Sequence, residues 1–316
     1  MNAMSAPGIT ICICTYRRPD QLLRLLKALQ RQDTRDRFSY SIVVTDNDHA
    51  ESARDVVLRF AATSPVGVTY CVESEQNIAL ARNRALAQAR GDFVAFIDDD
   101  EFPGEDWLAG LLNACETFGA DGALGPVRPF FDNTPPWWLV RSGLCERPQH
   151  PTGTTLRWRE TRTGNVLLHR LILKGIETPF RREFGSGGED QDFFRRMIER
   201  GHRFVWCNEA AVYEVVPLER QRRRYFLKRA LLRGQSEAPL LNSVSIVKSA
   251  VAVPAYIAVL PVVGLFGQDA LMACGVRLCD HAGKLLAAIG IRPIQRGNLN
   301  GQLSASATKS AVHGAG

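Results

Sequence analysis

The segment Phe96-Ile97-Asp98-Asp99-Asp100-Glu101 closes an apolar run that begins at Phe93. Adjacent carboxylates at the end of a hydrophobic strand repel one another, and the cluster costs free energy unless a cation sits on it. A divalent metal held by one or two carboxylates, with its other positions open to phosphate oxygens, relieves that cost. The chemistry this predicts is metal-dependent work on a phosphorylated substrate; the plainer reading is an acidic turn in water. A second acidic group, Glu189-Asp190-Gln191-Asp192, follows the glycine-rich run Gly185-Ser186-Gly187-Gly188. A third charged stretch, residues 217 to 233, sets Arg220, Arg222, Arg223, Arg224, Lys228, Arg229 and Arg233 against Glu219.

The elements that must position these groups alternate between strand and helix patterns. Ile9 to Cys14, Tyr40 to Thr45, Gly67 to Val72 and Asp92 to Ile97 are short runs rich in β-branched and aromatic residues. Between them, Asp20 to Gln30, Glu51 to Ala62 and Ile78 to Ala89 show helical spacing of apolar residues. This order predicts an α/β fold, a mostly parallel sheet with helices on both faces. Ligands in such sheets bind beyond the carboxyl ends of the strands. Thr15-Tyr16, Asp46 and Asp98 to Asp100 all fall at those ends.

The 316 residues, 45% hydrophobic and 23% charged, describe a globular chain with room for one large domain and a helical appendage. The net charge of +6 suits nucleotides, polyanions or an anionic lipid surface. Eight cysteines form no CxxC pair and read as reduced thiols, several of them in apolar strands. Met1 to Gly8 lacks the basic and apolar regions of a signal peptide. Residues 126 to 163 are rich in Pro and Trp. Trp137 and Trp138 could stack on sugar rings or pack a core. Ser249 to Phe266 carries no charge and approaches membrane-span length, but Pro254 and Pro261 favour a kinked or re-entrant segment over a straight helix. Ala270 to Ile289 reads as an amphipathic helix, and the small polar tail from Gly297 reads as disordered.

In order along the chain stand Thr15-Tyr16-Arg17-Arg18-Pro19, Asp46-Asn47, Asn77-Ile78-Ala79-Leu80-Ala81-Arg82-Asn83-Arg84, Asp98-Asp99-Asp100 and Gly187-Gly188-Glu189-Asp190-Gln191-Asp192. This succession resembles the inverting family 2 glycosyltransferases of the GT-A fold, over about residues 8 to 235. Val212-Tyr213-Glu214-Val215-Val216-Pro217, followed by the Arg-rich helix, narrows the likeness to bacterial exopolysaccharide glucosyltransferases of the succinoglycan type. The resemblance implies a Rossmann-like GT-A domain at 8–235, a C-terminal helical, membrane-associated region at 236–296 and a tail at 297–316. It implies transfer of a sugar, glucose in this subfamily, from a UDP-sugar to a hydroxyl of a saccharide or lipid-linked oligosaccharide, with Mn²⁺ or Mg²⁺ as cofactor. Asp46 would then meet the uracil edge, Thr15 and Tyr16 would frame the base, and Arg82 would contact the nucleotide or pyrophosphate. Asp100 resembles the direct metal ligand, and Asp98 or Asp99 the ribose and metal-water contact. Glu214 stands where the family usually places a histidine ligand. Asp190 resembles the general base. Arg18 and Glu189 join the donor-binding set. Arg224, within Gln221-Arg222-Arg223-Arg224-Tyr225, resembles the element that holds the pyrophosphate and the acceptor end.

The basic run beside the apolar run predicts attachment to an anionic membrane surface, at the cytoplasmic face of the inner membrane, peripherally or through the C-terminal region. Two other readings compete. A non-catalytic nucleotide-sugar or polyanion binder would not require the acidic set, and no nucleic-acid-binding module is present. A sugar nucleotidyltransferase would carry a glycine-rich phosphate loop after the first strand, and Thr15 to Pro19 has no glycine.

Overall fold

A computed structural model describes residues 6–185, 187–236, 243–291 and 293. Ser186 and the tail from Gly297 lie outside the described residues. The strands are β1 (Gly8–Thr15), β2 (Ser39–Asp46), β3 (Val68–Val72), β4 (Phe93–Ile97), β5 (Glu101–Pro103), β6 (Gly122–Leu124), β7 (Val127–Phe130), β8 (Asn165–His169), β9 (Phe204–Trp206) and β10 (Val212–Val215). The helices are α1 (Pro19–Leu29), α2 (Arg54–Ala61), α3 (Ile78–Gln88), α4 (Trp107–Phe118), α5 (Trp137–Ser142), α6 (Glu189–Glu199), α7 (Arg223–Ser236), α8 (Ser243–Leu265) and α9 (Gln268–Ala288). Two compact units result. One comprises residues up to Phe130 together with Arg147–Val215; the other comprises Phe131–Glu146 and the chain from Val216.

The first unit holds a seven-stranded sheet in the order β3-β2-β1-β4-β8-β6-β9. Strands β3, β2, β1 and β4 pair in parallel, as the βαβ alternation requires. Strand β8 runs against its neighbours, antiparallel to both β4 and β6. Leu22, Leu25, Leu26 and Leu29 of α1 pack on one face with Ile9, Ile11 and Ile13 of β1. Cys12, Val94 and Phe96 point to the other face and meet Phe180, Phe193 and Phe194. Apart from the edge strand β3, the strands of this sheet are largely buried on both faces, which is why they read as near-continuous apolar runs.

A smaller sheet, β5-β10-β7, grows directly from the acidic segment. Its register sets Glu214 of β10 opposite Glu101 of β5. Between the two sheets lies Asn165, fully buried at the start of β8. Its Nδ2 donates to the carbonyls of Pro126 and Ala210 at 3.1 and 2.8 Å, and its Oδ1 accepts from Trp107 Nε1 at 2.8 Å. The Asn165→Leu variant leaves those three groups without partners in a dry site. The expected result is a loss of about 3–5 kcal/mol in urea unfolding; a loss below about 1 kcal/mol would show that the three bonds hold nothing together.

The second unit is helical. Trp138 and Leu139 of α5, Phe226 of α7 and Met272 of α9 form its core. Trp137 instead stands 53% exposed, so only Trp138 packs in this core. Gln221 is buried, bonded to Asn133 and to the Val216 carbonyl, and anchors the turn that leads into α7. The apolar stretch is helical throughout. It is an unbroken helix that starts at Ser243 and contains both Pro254 and Pro261. Each proline removes a single hydrogen bond, and the flanking turns are strongly apolar helix that carries through.

Candidate active site

The site is assembled at the carboxyl ends of β1 and β4. β4 is wholly buried, and the chain emerges from it into Asp98, Asp99 and Asp100. Asp99 turns inward. Its Oδ2 accepts from the Thr15 hydroxyl at 2.8 Å and its Oδ1 from Arg18 Nη1 at 2.9 Å. The same Arg18 nitrogen reaches Asp100 Oδ2 at 3.0 Å. Burial pushes the Asp99 carboxyl up to about 6, against the pull of Arg18. Asp98 faces the open side, where 48% of its side chain meets solvent. Partial desolvation raises its pKa, Arg82 opposes that rise, and Asp100 and Glu214 add to it.

Arg82 comes from α3, and its placement follows from two asparagines. Asn77 caps the helix, accepting from the amides of Ala79 and Leu80, while its Nδ2 donates to the Arg182 carbonyl. Asn83 bonds the backbone of Phe180 through both ends of its amide. These contacts hold α3 against the segment that leads into α6. Arg82, buried, pairs there with Glu189 and lies 3.7 Å from Asp98. One oxygen of Glu189, Oε2, is buried without a hydrogen-bond partner. Asp190 follows in the first turn of α6, after Gly187 and Gly188 in left-handed conformations. It is half-buried, and its Oδ1 accepts from the Gln191 amide at 2.7 Å.

Four residues that the sequence reading did not assign complete the site. Glu101 is buried with Oε2 unpartnered; burial and then Asp98 push its carboxyl well above the usual range. Arg147 pairs with Glu214. Arg162 lies within the electrostatic reach of Glu101, Asp190 and Asp98, and its pKa is lowered by burial and by Arg147. Gly164 backs the cluster. A Cβ there would lie 2.8 Å from Asp98 Oδ2 and 3.1 Å from Glu101 Oε1. The Gly164→Ala variant is expected to fold normally and to lose about 10- to 100-fold in turnover, because it displaces Asp98 by a fraction of an ångström or more. Equal turnover at equal melting temperature would mean that the position of Asp98 does not matter.

The remaining assigned residues fall in two places. Tyr16 is half-buried beneath the Arg17 guanidinium, 5.0 Å from the ring centroid. Asp46 is fully buried: Oδ1 accepts from the Asp48 amide, and Oδ2 from the Ala53 amide at 2.7 Å and the Tyr70 hydroxyl at 3.0 Å. In this structure those contacts make Asp46 a strand-end cap, with no lone pair turned to solvent. Arg224 is exposed on α7 in the second unit.

The oxygen-only donors Asp98, Asp100, Glu101 and Glu214 suit a hard divalent cation in their chemistry. Among the described residues, no group of three or more His, Cys, Asp or Glu side chains is placed to hold a metal ion by itself.

Comparison with known proteins agrees with this geometry. Residues 10–176 match the family described as Glycosyl transferase family 2. The chain is 38% identical over 237 residues to the succinoglycan biosynthesis protein ExoM of Rhizobium meliloti, covering 74% of this chain and 75% of that one. Among solved structures, Staphylococcus aureus TarS 1–349 in complex with UDP-GlcNAc superposes with a TM-score of 0.54 at 16% identity, over 91% of this chain and 93% of that one. The mannosyltransferase PcManGT of Pyrobaculum calidifontis, in complex with GDP-Man and Mn²⁺, gives a TM-score of 0.53 at 19% identity, over 96% and 81%. These two share the GT-A fold with this chain. The chain belongs to glycosyl transferase family 2, and it is a glycosyltransferase.

Proposed function

We propose that the protein transfers glucose from UDP-glucose, with inversion, to a hydroxyl of a lipid-linked saccharide during exopolysaccharide assembly. The observation that carries this reading is the convergence at the end of β4 of an acidic set, Asp98 to Glu101 with Glu214, and a basic set, Arg18, Arg82, Arg147 and Arg162, with Asp190 facing the same cluster. A diphosphate needs both a cation held by the acids and guanidinium donors, and it leaves a carboxylate free to act as base. The similarity to ExoM, a succinoglycan biosynthesis protein, supports the exopolysaccharide pathway, and glucose is the sugar implied by the subfamily that the sequence resembles.

In this reading Asp190 accepts the proton of the acceptor hydroxyl as that oxygen attacks the anomeric carbon. The bond from the anomeric carbon to the diphosphate oxygen breaks on the opposite face, and the configuration inverts. Thr15, Tyr16 and Asp46 bind the base end of the nucleotide, and Asp46 must exchange an internal bond to do so. Arg82, released from Glu189, and Arg18 take phosphate oxygens, for which the planar guanidinium suits both charge and geometry. Arg224 contributes at the pyrophosphate or acceptor end. Asp98 or Asp99 reaches the ribose. Asp98, Asp100 and Glu214 hold Mg²⁺ or Mn²⁺, which when bound neutralises the charge that develops on the leaving diphosphate. The proposed transferase domain, residues 8–235, contains every one of these groups. The basic and apolar C-terminal helices support a location at the cytoplasmic face of the inner membrane, where a lipid-linked acceptor is presented.

The test is UDP release by purified protein with UDP-glucose, UDP-galactose, UDP-GlcNAc or GDP-mannose, with a membrane extract as acceptor source. Release from UDP-glucose, dependent on acceptor and on divalent metal and absent in Asp100→Ala, is the expected result. Release from a different donor alone would overturn the assignment of the sugar.

A further inference from the structure

The second unit carries an apolar surface on one helix. Helix α8 exposes Val244, Val247, Val251, Val262, Leu265 and, just after it, Phe266. Only 6% of its most apolar stretch is buried, and its 23 residues are long enough to cross a bilayer. Length and composition alone therefore favour a membrane span.

The partners of α8 argue otherwise. Helix α9 returns antiparallel beside it: Gly264 near the end of α8 faces Leu271 near the start of α9, and Ser249 Oγ lies 3.0 Å from His281 Nδ1. The Tyr256 ring stacks on the same histidine. On its other side α9 packs closely on α7. A Cβ on Gly234 would strike the Asp280 carbonyl, and one on Gly283 would strike the Leu231 carbonyl. Asp280 binds Arg233 of α7 at 2.7 Å and Lys284 at 3.1 Å. If α8 crossed a bilayer with α9 beside it, Arg277, Asp280 and Lys284 would enter hydrocarbon. Helix α7, fixed to α9 at Gly234 and Gly283, would follow with its exposed Arg223, Lys228 and Arg229 and with Arg222 just before it. Charges at that depth are costly and are found paired or lining water-filled cavities.

We propose that α8 is an in-plane, monotopic anchor: it beds its apolar face in one leaflet of an anionic lipid membrane, with α9 above it and the basic helix α7 at the headgroups, and it does not cross the bilayer. The proposal rests on the membrane attachment inferred above and specifies its form. The occupant is a lipid surface carrying negative charge, because the same unit joins the apolar face to a helix of exposed arginines and lysines, and each basic residue near such a surface adds to the attraction.

The experiment uses the full-length protein bound to vesicles of phosphatidylglycerol and phosphatidylcholine. An environment-sensitive fluorescent amino acid is placed singly at exposed α8 positions and quenched by lipids brominated near the headgroup or near the bilayer centre. The expected profile repeats every turn. Val247, Val251, Ala258 and Leu265, opposite the α9 contact, are deepest at no more than about 10 Å, while Ile246 and Val259 are shallower. A smooth profile with a single maximum near Pro254, at about 15 Å, would show a span and overturn the proposal while leaving membrane attachment intact. Failure of the unsubstituted protein to float with vesicles of either lipid would overturn attachment itself and the proposal with it. As an independent reading, the triple change Arg222→Glu, Lys228→Glu and Arg229→Glu is expected to weaken partitioning onto anionic vesicles at least about tenfold and to leave the melting temperature unchanged. Unchanged partitioning would remove α7 from the anchor.

Discussion

Asp190→Asn is expected to lower turnover about 10³-fold while UDP-sugar affinity stays within about twofold. The magnitude is that of a lost general base. The selectivity follows from position. Asp190 sits in the first turn of α6 and its Oδ1 accepts from the neighbouring Gln191 amide, so an isosteric amide keeps the local fold. The adjacent Glu189 is a contrast. It is buried against Arg82, and Glu189→Gln breaks a buried ion pair; its effect is expected on stability and donor affinity as well as on rate. Isothermal titration with UDP-glucose and steady-state turnover separate the two variants. An Asp190→Asn enzyme that kept more than about a tenth of the wild-type rate would remove Asp190 from the role of base. A matching loss of donor affinity would mean that Asp190 binds substrate rather than the acceptor proton.

Much of the first unit was legible because local patterns and the global fold agree there. The apolar runs of β1, β2 and β4 are largely buried, and polar groups at the ends of β1 and β4 meet at Asp99. The reversed strand β8 and the small sheet β5-β10-β7 were not legible. Strands of three to five residues are specified by pairing between distant parts of the chain, which no local period records. That pairing sets Glu214 opposite Glu101. It is also why Arg147, Arg162 and Gly164 were missed: each is a single residue in or beside a Pro/Trp-rich stretch with no spacing to single it out. Glu101 was visible as the last acid of the run, but its inward turn into β5 depends on the same sheet. Asp46 shows the converse. A strand-end aspartate has two meanings in sequence, and here its contacts serve the loop that follows β2.

Chelation is expected to abolish transfer, by at least about 10³-fold, with recovery on adding Mn²⁺ or Mg²⁺ in excess. The argument is electrostatic. Burial and then mutual repulsion raise the pKa values of Glu101 and Asp98, with Asp100 and Glu214 contributing. Arg147 offsets part of this through Glu214, and Arg18 offsets part through Asp99 and Asp100. These two guanidiniums offset the acidic set only in part, and a divalent ion would complete that balance while neutralising charge on the leaving diphosphate. Side chains that hold the ion should differ in their effects. Asp100→Ala should abolish metal-dependent turnover. Glu214→Ala should raise the metal concentration for half-maximal rate about tenfold without abolishing the rate, because a third carboxylate tunes affinity more than it creates the site. Glu214→His, which restores the residue usual in the resembled family, should keep activity and shift preference from Mg²⁺ toward Mn²⁺, since imidazole is the softer ligand. The measurement is the rate against metal concentration for each ion in the three variants. A rate indifferent to EDTA would refute the metal requirement. The arginines would then have to carry the leaving group alone, and Arg147→Gln would be expected to stop the reaction.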